Sequence, residues 1–240
     1  MAQHISRKEL KKDEIRETLA HGAEAVFSHQ RLVGTIVGIA LVVGLAIAGW
    51  RFYSERQTVK ASAALEDAMK VFEARIRTPG EPPEPGEITY VQEKNKYEDA
   101  ARKFAEIARK YSRTRPGQVA RYYAALSQER LGRYDEAQKT LKELENSRGE
   151  EFAALARFQL AEIYERTGKT DEAVKLYRQL ADRPTVFVPR AVVLLALADS
   201  LRKANPQEAT QLYNQIKKDF PNSSVADEAD KRLELLSPKT

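Results

Sequence analysis

Cysteine is absent from the 240-residue sequence, which excludes disulfides, thiolate nucleophiles and cysteine-ligated zinc together. The absence leaves the redox compartment open. Histidine is nearly absent as well: only His4, His21 and His29 occur, and none follows residue 29. Their spacings do not bring them to one face of a helix, so a histidine metal site is excluded. The rest of the chain has no imidazole to serve as a general base, and it carries neither HExxH nor GxSxG. Gly168-Lys169-Thr170 imitates the end of a phosphate-binding loop, but Ile163 stands where the first glycine is required. No catalytic residue, metal, cofactor or small-molecule substrate is therefore expected, and the chain is not read as an enzyme. An excess of one charge is missing too. Lys and Arg number 40 against 35 Asp and Glu, a net charge of +5, and the signs are interleaved. A nucleic-acid surface gathers its cations on one face, so no nucleic-acid partner is expected.

What is present begins with RLVGTIVGIALVVGLAIAGWRFY, residues 31–53. Leu32 to Trp50 is nineteen residues without a charge. As a helix it spans roughly 28 Å at about 1.5 Å per residue, close to a bilayer hydrocarbon core of about 30 Å. Thr35 can bond back to a helix carbonyl. The exit, Trp50-Arg51-Phe52-Tyr53, supplies the aromatics and the cation that suit the headgroup level. Ala46-Ile47-Ala48 has the small-x-small pattern of a signal peptidase site. However, the region before the run is long, and the run exceeds the usual apolar core of about 7–15 residues. Residues 32–50 are read as an uncleaved signal-anchor. Six cations precede the span (Arg7, Lys8, Lys11, Lys12, Arg16, Arg31) and four lie in the twenty residues after it (Arg51, Arg56, Lys60, Lys70), which tilts the N-terminus toward the cytoplasm. Gly34 with Gly38, and Ala40 with Gly44 and Ala48, form small-residue ladders along which a second helix can pack. Glycine is also simply common in transmembrane helices.

Residues 1–31 form the expected cytoplasmic tail. Ser6-Arg7-Lys8-Glu9 has the spacing of a capping box, opening a helix to about His29 with Ile15, Leu19 and Val26 on one stripe. Beyond the span, residues 54–77 read as a helix with Ala61, Leu65, Met69 and Phe72 near one face. TPGEPPEPG, residues 78–86, holds four prolines and two glycines and reads as a stiff extended loop. Residues 51–88 are thus taken as a connection, and 89–240 as a domain.

That domain repeats itself. Tyr97-x-x-Ala100-x-x-x-Phe104-x-x-Ile107 recurs as Tyr134-x-x-Ala137-x-x-x-Leu141-x-x-Leu144, then as Ala173, Tyr177 and Leu180, and as Ala209, Tyr213 and Ile216. The alanines lie 37, 36 and 36 residues apart, a period that marks stacked helical hairpins. The partner helices agree: the stretch at residues 120–125, ARYYAA, recurs as ARFQLA at 156–161 and as AVVLLA at 191–196. Gly132 and Gly168 fall where a helix must end in a left-handed cap. Asp135-Glu136 and Asp171-Glu172 then enter the first turn of the next helix, where its dipole favours acids. Asn205-Pro206 makes the same turn in the third unit. The fold class is all-α: one transmembrane helix followed by an α-solenoid of about three to four hairpins.

These residues resemble tetratricopeptide repeats (TPR). Gly132, Tyr134 and Ala137, then Gly168 and Ala173, match the family's glycine, aromatic and alanine positions over roughly residues 95–236; the family's tryptophan is missing. Gly49-Trp50-Arg51-Phe52-Tyr53 with Gln57 and an alanine-rich helix is similar to the ancillary SecYEG translocon subunit family. That resemblance implies a single-pass bacterial inner-membrane protein with a cytoplasmic N-terminus and a periplasmic TPR domain. The partners it implies are Sec translocon components, periplasmic chaperones or emerging secreted client chains. The ending Tyr213-x-x-Ile216-x-x-x-Phe220-Pro221-x-Ser223-x-x-Ala226-x-x-Ala229 resembles instead the repeats of outer-membrane assembly lipoproteins and the Tol-Pal-associated cell division coordinator, which implies an envelope scaffold. By the family's positions the first helix of each hairpin lines a concave groove. Tyr122, Leu126 and Glu129, and one repeat later Phe158, Glu162 and Glu165, would then face a partner. Tyr122 and Phe158 fit equally well as packing between repeats.

Overall fold

A computed structural model describes residues 30–147 and 149–236. The expected capping box at Ser6–Glu9, its helix and all three histidines lie outside the described residues. The chain divides into two compact units between Arg56 and Gln57.

In the first unit, residues 30–56 belong to α1 (Gln30–Glu73), whose remaining turns belong to the second. The Thr35 hydroxyl donates to the Arg31 carbonyl at 2.7 Å, so the span's one hydroxyl is satisfied inside the helix. Among the described residues nothing covers the apolar side chains. Leu32, Ile36, Ile39, Leu41, Val42, Leu45 and Ile47 are each at least 57% exposed, and Trp50 is 69% exposed. This is an N-terminal apolar helix of membrane-crossing length and composition. The Arg56 guanidinium sits 4.3 Å from the Phe52 ring centroid, a cation–π contact one turn past the aromatic exit.

The second unit is a row of antiparallel helices. After residues 57–73 of α1 come α2 (Glu93–Lys110), α3 (Arg115–Arg130), α4 (Tyr134–Glu145), α5 (Glu150–Arg166), α6 (Thr170–Asp182), α7 (Arg190–Leu201), α8 (Pro206–Asp219) and α9 (Ser224–Leu236). Each of α2 to α9 packs chiefly on its neighbours in sequence. Pairing gives hairpins α3/α4, α5/α6 and α7/α8, with α9 closing the far end. Residues 57–73, read from the sequence as a connection, sit in the same unit as the repeats. Ala61, Ala68 and Val71 are buried against Ala100, Phe104 and Ala120, with Leu65, Met69 and Phe72 packed beside them. Phe72 makes edge-on contacts with Tyr97, Phe104 and Tyr123, at centroid distances of 5.6, 6.0 and 5.2 Å. The last turns of α1 and α2 therefore make a further hairpin.

The periodic alanines set the spacing of the row. Ala100, Ala137, Ala173 and Ala209 are all fully buried. A methyl group at each crossing lets two backbones approach, and Phe104, Leu141, Tyr177 and Tyr213, each at most 1% exposed, fill the space one turn later. The turns obey the same economy. At the end of α3, the Arg133 amide donates to the Gln128 carbonyl and the Gly132 amide to Glu129, with Gly132 at φ +71°: a Schellman cap. Lys169, Gly168, Tyr164 and Glu165 repeat it after α5. A third glycine acts through proximity. A Cβ on Gly117 would lie 2.0 Å from the Tyr111 carbonyl oxygen, so only glycine lets the first turn of α3 close on the end of α2.

The proline-rich segment is ordered by more than chain stiffness. Arg75–Ile76 (β1) pairs in parallel with Thr89–Tyr90 (β2), a ribbon the helical reading of 54–77 did not anticipate. Arg75 reaches Glu81 at 2.7 Å and Glu87 at 3.4 Å across the loop between them. The Tyr90 hydroxyl donates to Asp99 on α2 at 2.6 Å; burial and that carboxylate push its pKa up to about 12.

Replacing Ala173 by phenylalanine forces a ring into a crossing that holds a methyl group. It is expected to cost about 1–3 kcal/mol of stability, read as a lower midpoint in urea unfolding followed by circular dichroism. An unchanged midpoint would place the interhelix contact elsewhere.

Candidate functional site

A cavity of about 720 Å³ opens on the side of the row formed by α3 and α5. Helix geometry explains its lining. Tyr122, Leu126 and Glu129 are spaced by four and three residues along α3, as Gln159, Glu162 and Arg166 are along α5 in the reverse order, so each set forms one stripe. Phe72 at the end of α1, Glu93 in the first turn of α2 and Tyr134 opening α4 complete the walls.

The two stripes are tied by one buried amide. Gln159, 7% exposed, accepts from the Tyr122 hydroxyl at 3.1 Å through Oε1 and donates to Glu129 at 2.7 Å through Nε2. Arg166 Nε lies 3.2 Å from the other oxygen of Glu129, whose side chain is 9% exposed. The groove floor is thus a hydrogen-bonded row, Tyr122–Gln159–Glu129–Arg166, with its donors and acceptors matched. Burial first, then the Glu162 and Glu129 carboxylates, push the Tyr122 hydroxyl well above the ordinary tyrosine range, so it stays a donor. Glu162 is only partly compensated. Burial and the neighbouring Glu129 raise its pKa against the smaller pull of Arg166.

Of the six groove residues expected from the sequence, Tyr122, Leu126, Glu129 and Glu162 line this cavity and Phe158 and Glu165 do not. The Phe158 ring packs edge-on to Tyr177 at 5.6 Å, inside the hairpin. Glu165 accepts from Ser200 on the next hairpin. Farther along, Asp199 accepts from the Tyr213 hydroxyl at 2.7 Å and pairs with Arg232 of α9 at 3.0 Å. These carboxylates hold hairpins together. Gln159, Arg166, Phe72, Glu93 and Tyr134 also line the cavity, and none of them was read from the sequence as a groove residue. Gln159 left one signal, a lone uncharged amide in the apolar stretch FAALARFQLA. In the first unit, Gly34, Gly38 and Gly44 have open space where a Cβ would stand, and Ala40 and Ala48 are exposed.

The repeat geometry agrees with sequence comparison. The family described as the tetratricopeptide repeat-like domain matches residues 28–187, two thirds of the chain, and the tetratricopeptide repeat matches residues 192–223. The chain belongs to the tetratricopeptide repeat family. No curated protein matches this TPR chain. Among solved structures it is similar to the nearly identical TPR-like repeats named for a putative kinesin light chain of Podosopora anserina. A single-substitution form of that protein shares 14% identity at a TM-score of 0.50, over 71% of this chain and 81% of that one. The form without the substitution shares 14% identity at 0.49, over 71% and 82%. At that identity the likeness is one of fold alone. The TPR fold is typically a non-enzymatic scaffold on which one protein binds another.

The raised pKa of Glu162 has a thermodynamic consequence. A carboxyl whose folded pKa exceeds its unfolded value favours the native state when protonated, and that contribution is lost as pH rises through the folded value. Glu162→Gln is therefore expected to raise the melting temperature at pH 7 and to leave it unchanged below about pH 4, where the carboxyl is protonated in both states. Scanning calorimetry at the two pH values checks this; equal shifts at both would assign the effect to packing.

Proposed function

We propose that this chain is a membrane-tethered interaction protein of the bacterial cell envelope, acting as an ancillary subunit of the Sec translocon. Residues 32–50 are the anchor, the tail before them is cytoplasmic, and the TPR unit is periplasmic. The groove receives a segment of a translocon component, a periplasmic chaperone or an emerging secreted chain. The observation that carries the proposal is the pairing, in one chain, of an apolar helix that no protein surface covers with a TPR unit whose groove stands open. The first supplies attachment to a bilayer and the second a surface for another protein. The Gly-Trp-Arg-Phe-Tyr exit, residues 49–53, favours the translocon among envelope systems. Gly34, Gly38, Ala40, Gly44 and Ala48 offer the anchor close approach to a neighbouring transmembrane helix.

The alternative is a scaffold in outer-membrane assembly or Tol-Pal-linked division. It is favoured by the pattern of α8 and α9, where Phe220-Pro221 precedes a final helix seated on buried Ala226 and Ala229.

Two measurements decide between them. Alkaline phosphatase fused to the C-terminus is expected to be active, on a chain that keeps its first 48 residues. An inactive fusion overturns the topology, and a product lacking the first 48 residues overturns the anchor. A photo-crosslinker at position 122 is expected to capture translocon or chaperone components in cells. Capture of Tol-Pal or outer-membrane proteins instead selects the alternative.

A further inference from the structure

The charge of the groove is net negative once its internal pair is accounted for. Three carboxylates line it, Glu93, Glu129 and Glu162, against the guanidiniums of Arg130 and Arg166. Arg166 is bonded to Glu129, whose other oxygen accepts from Gln159. The exposed Arg130 guanidinium, 6.0 Å from the Tyr97 ring centroid on α2, keeps its charge. What remains available to a visitor is therefore two carboxylates against one guanidinium: Glu162, whose acting cation is the Arg166 already held by Glu129, and exposed Glu93. Beside these acids stand apolar and aromatic walls, Phe72, Leu126, Tyr122 and Tyr134.

We infer that this groove takes a basic, partly apolar segment of a partner protein, with a lysine or arginine stem lying along the Tyr122–Leu126 wall and its cation meeting Glu162. The inference rests on reading the groove as a protein-binding surface and names the chemistry of what it binds. A long basic side chain has an apolar stem for the wall and a charged head for the carboxylate. Its charge offsets the repulsion between Glu162 and Glu129 that nothing in the free protein offsets fully. A wholly apolar segment would cover Glu162 without giving it a partner, which is costly. An acidic segment would add like charge to a site that already has too much. The volume of about 720 Å³ accommodates several side chains rather than one. The chain's own basic start, Arg7-Lys8 and Lys11-Lys12, lies across the membrane in the proposed topology, so the occupant is another protein.

The test uses the full chain in mild detergent and three short fluorescent peptides. One alternates lysine with leucine and tyrosine; the others replace every lysine by glutamine or by glutamate. Anisotropy titrations are expected to rank lysine tightest by about tenfold or more over glutamine, with glutamate weakest and the preference shrinking as salt rises. Glu162→Gln, which should fold at least as well as the wild type, is expected to remove most of the preference. The double substitution Glu93→Lys, Glu162→Lys is expected to shift it toward the glutamate peptide. Equal affinities for the three peptides would overturn the inference. So would a lysine preference untouched by Glu162→Gln, since the peptide would then bind elsewhere. The crosslinking from position 122 judges the translocon reading separately. A partner outside the translocon would leave the charge preference standing, and a translocon partner bound without regard to charge would remove only the preference.

Discussion

Everything in the second unit depends on how closely two backbones approach at four alanines. A helical hairpin alone has an apolar face that it cannot cover, and only stacking on the next hairpin removes that face from water. The stacking distance is set where Ala100, Ala137, Ala173 and Ala209 sit at zero exposure. Because the small residue recurs at a nearly constant period, each hairpin meets the next in nearly the same way, and the large residue one turn later always finds the same space. The Schellman caps at Gly132 and Gly168 serve this regularity. They turn the chain in two residues and satisfy the last carbonyls of α3 and α5, so no long loop intrudes on the packing.

The groove is a by-product of that regularity. Repeating the crossing aligns one stripe of α3 with one stripe of α5, and residues 37 positions apart, Tyr122 and Gln159, come within hydrogen-bonding distance. The polar row then resists collapse of the groove, because closing it would bury carboxylates without partners. Glu162 sits where burial and Glu129 both oppose its charge. The neighbouring acids behave differently. Glu165 and Asp199 make contacts between hairpins.

The first unit follows a different constraint. Its helix satisfies its backbone groups internally and leaves its apolar side chains uncovered, which is stable only where the surroundings are themselves apolar. Thr35, bonded back to Arg31, fits this, since the span presents no unmet hydroxyl.

The order of the helices, the glycine caps and the alanine crossings were all legible in the sequence, because each rests on a local rule: a period, a left-handed turn, a small residue between large ones. The apolar span was legible for the same reason. The groove was legible only in outline. Position in the repeat brought Tyr122, Leu126, Glu129 and Glu162 forward, but it also brought Phe158 and Glu165. Their fate is set by contacts with Tyr177 and Ser200 that lie 19 and 35 residues away. The ribbon at Arg75–Ile76 was hidden too, since pairing with Thr89–Tyr90 is a non-local choice that overrides helical spacing. The sequence by itself determined a repeated hairpin with an apolar helix ahead of it, because periodicity and hydrophobic length act along the chain. Only the tertiary structure decided which acids are consumed holding the row together and which face the open groove. That choice depends on which side chains from other hairpins arrive beside them.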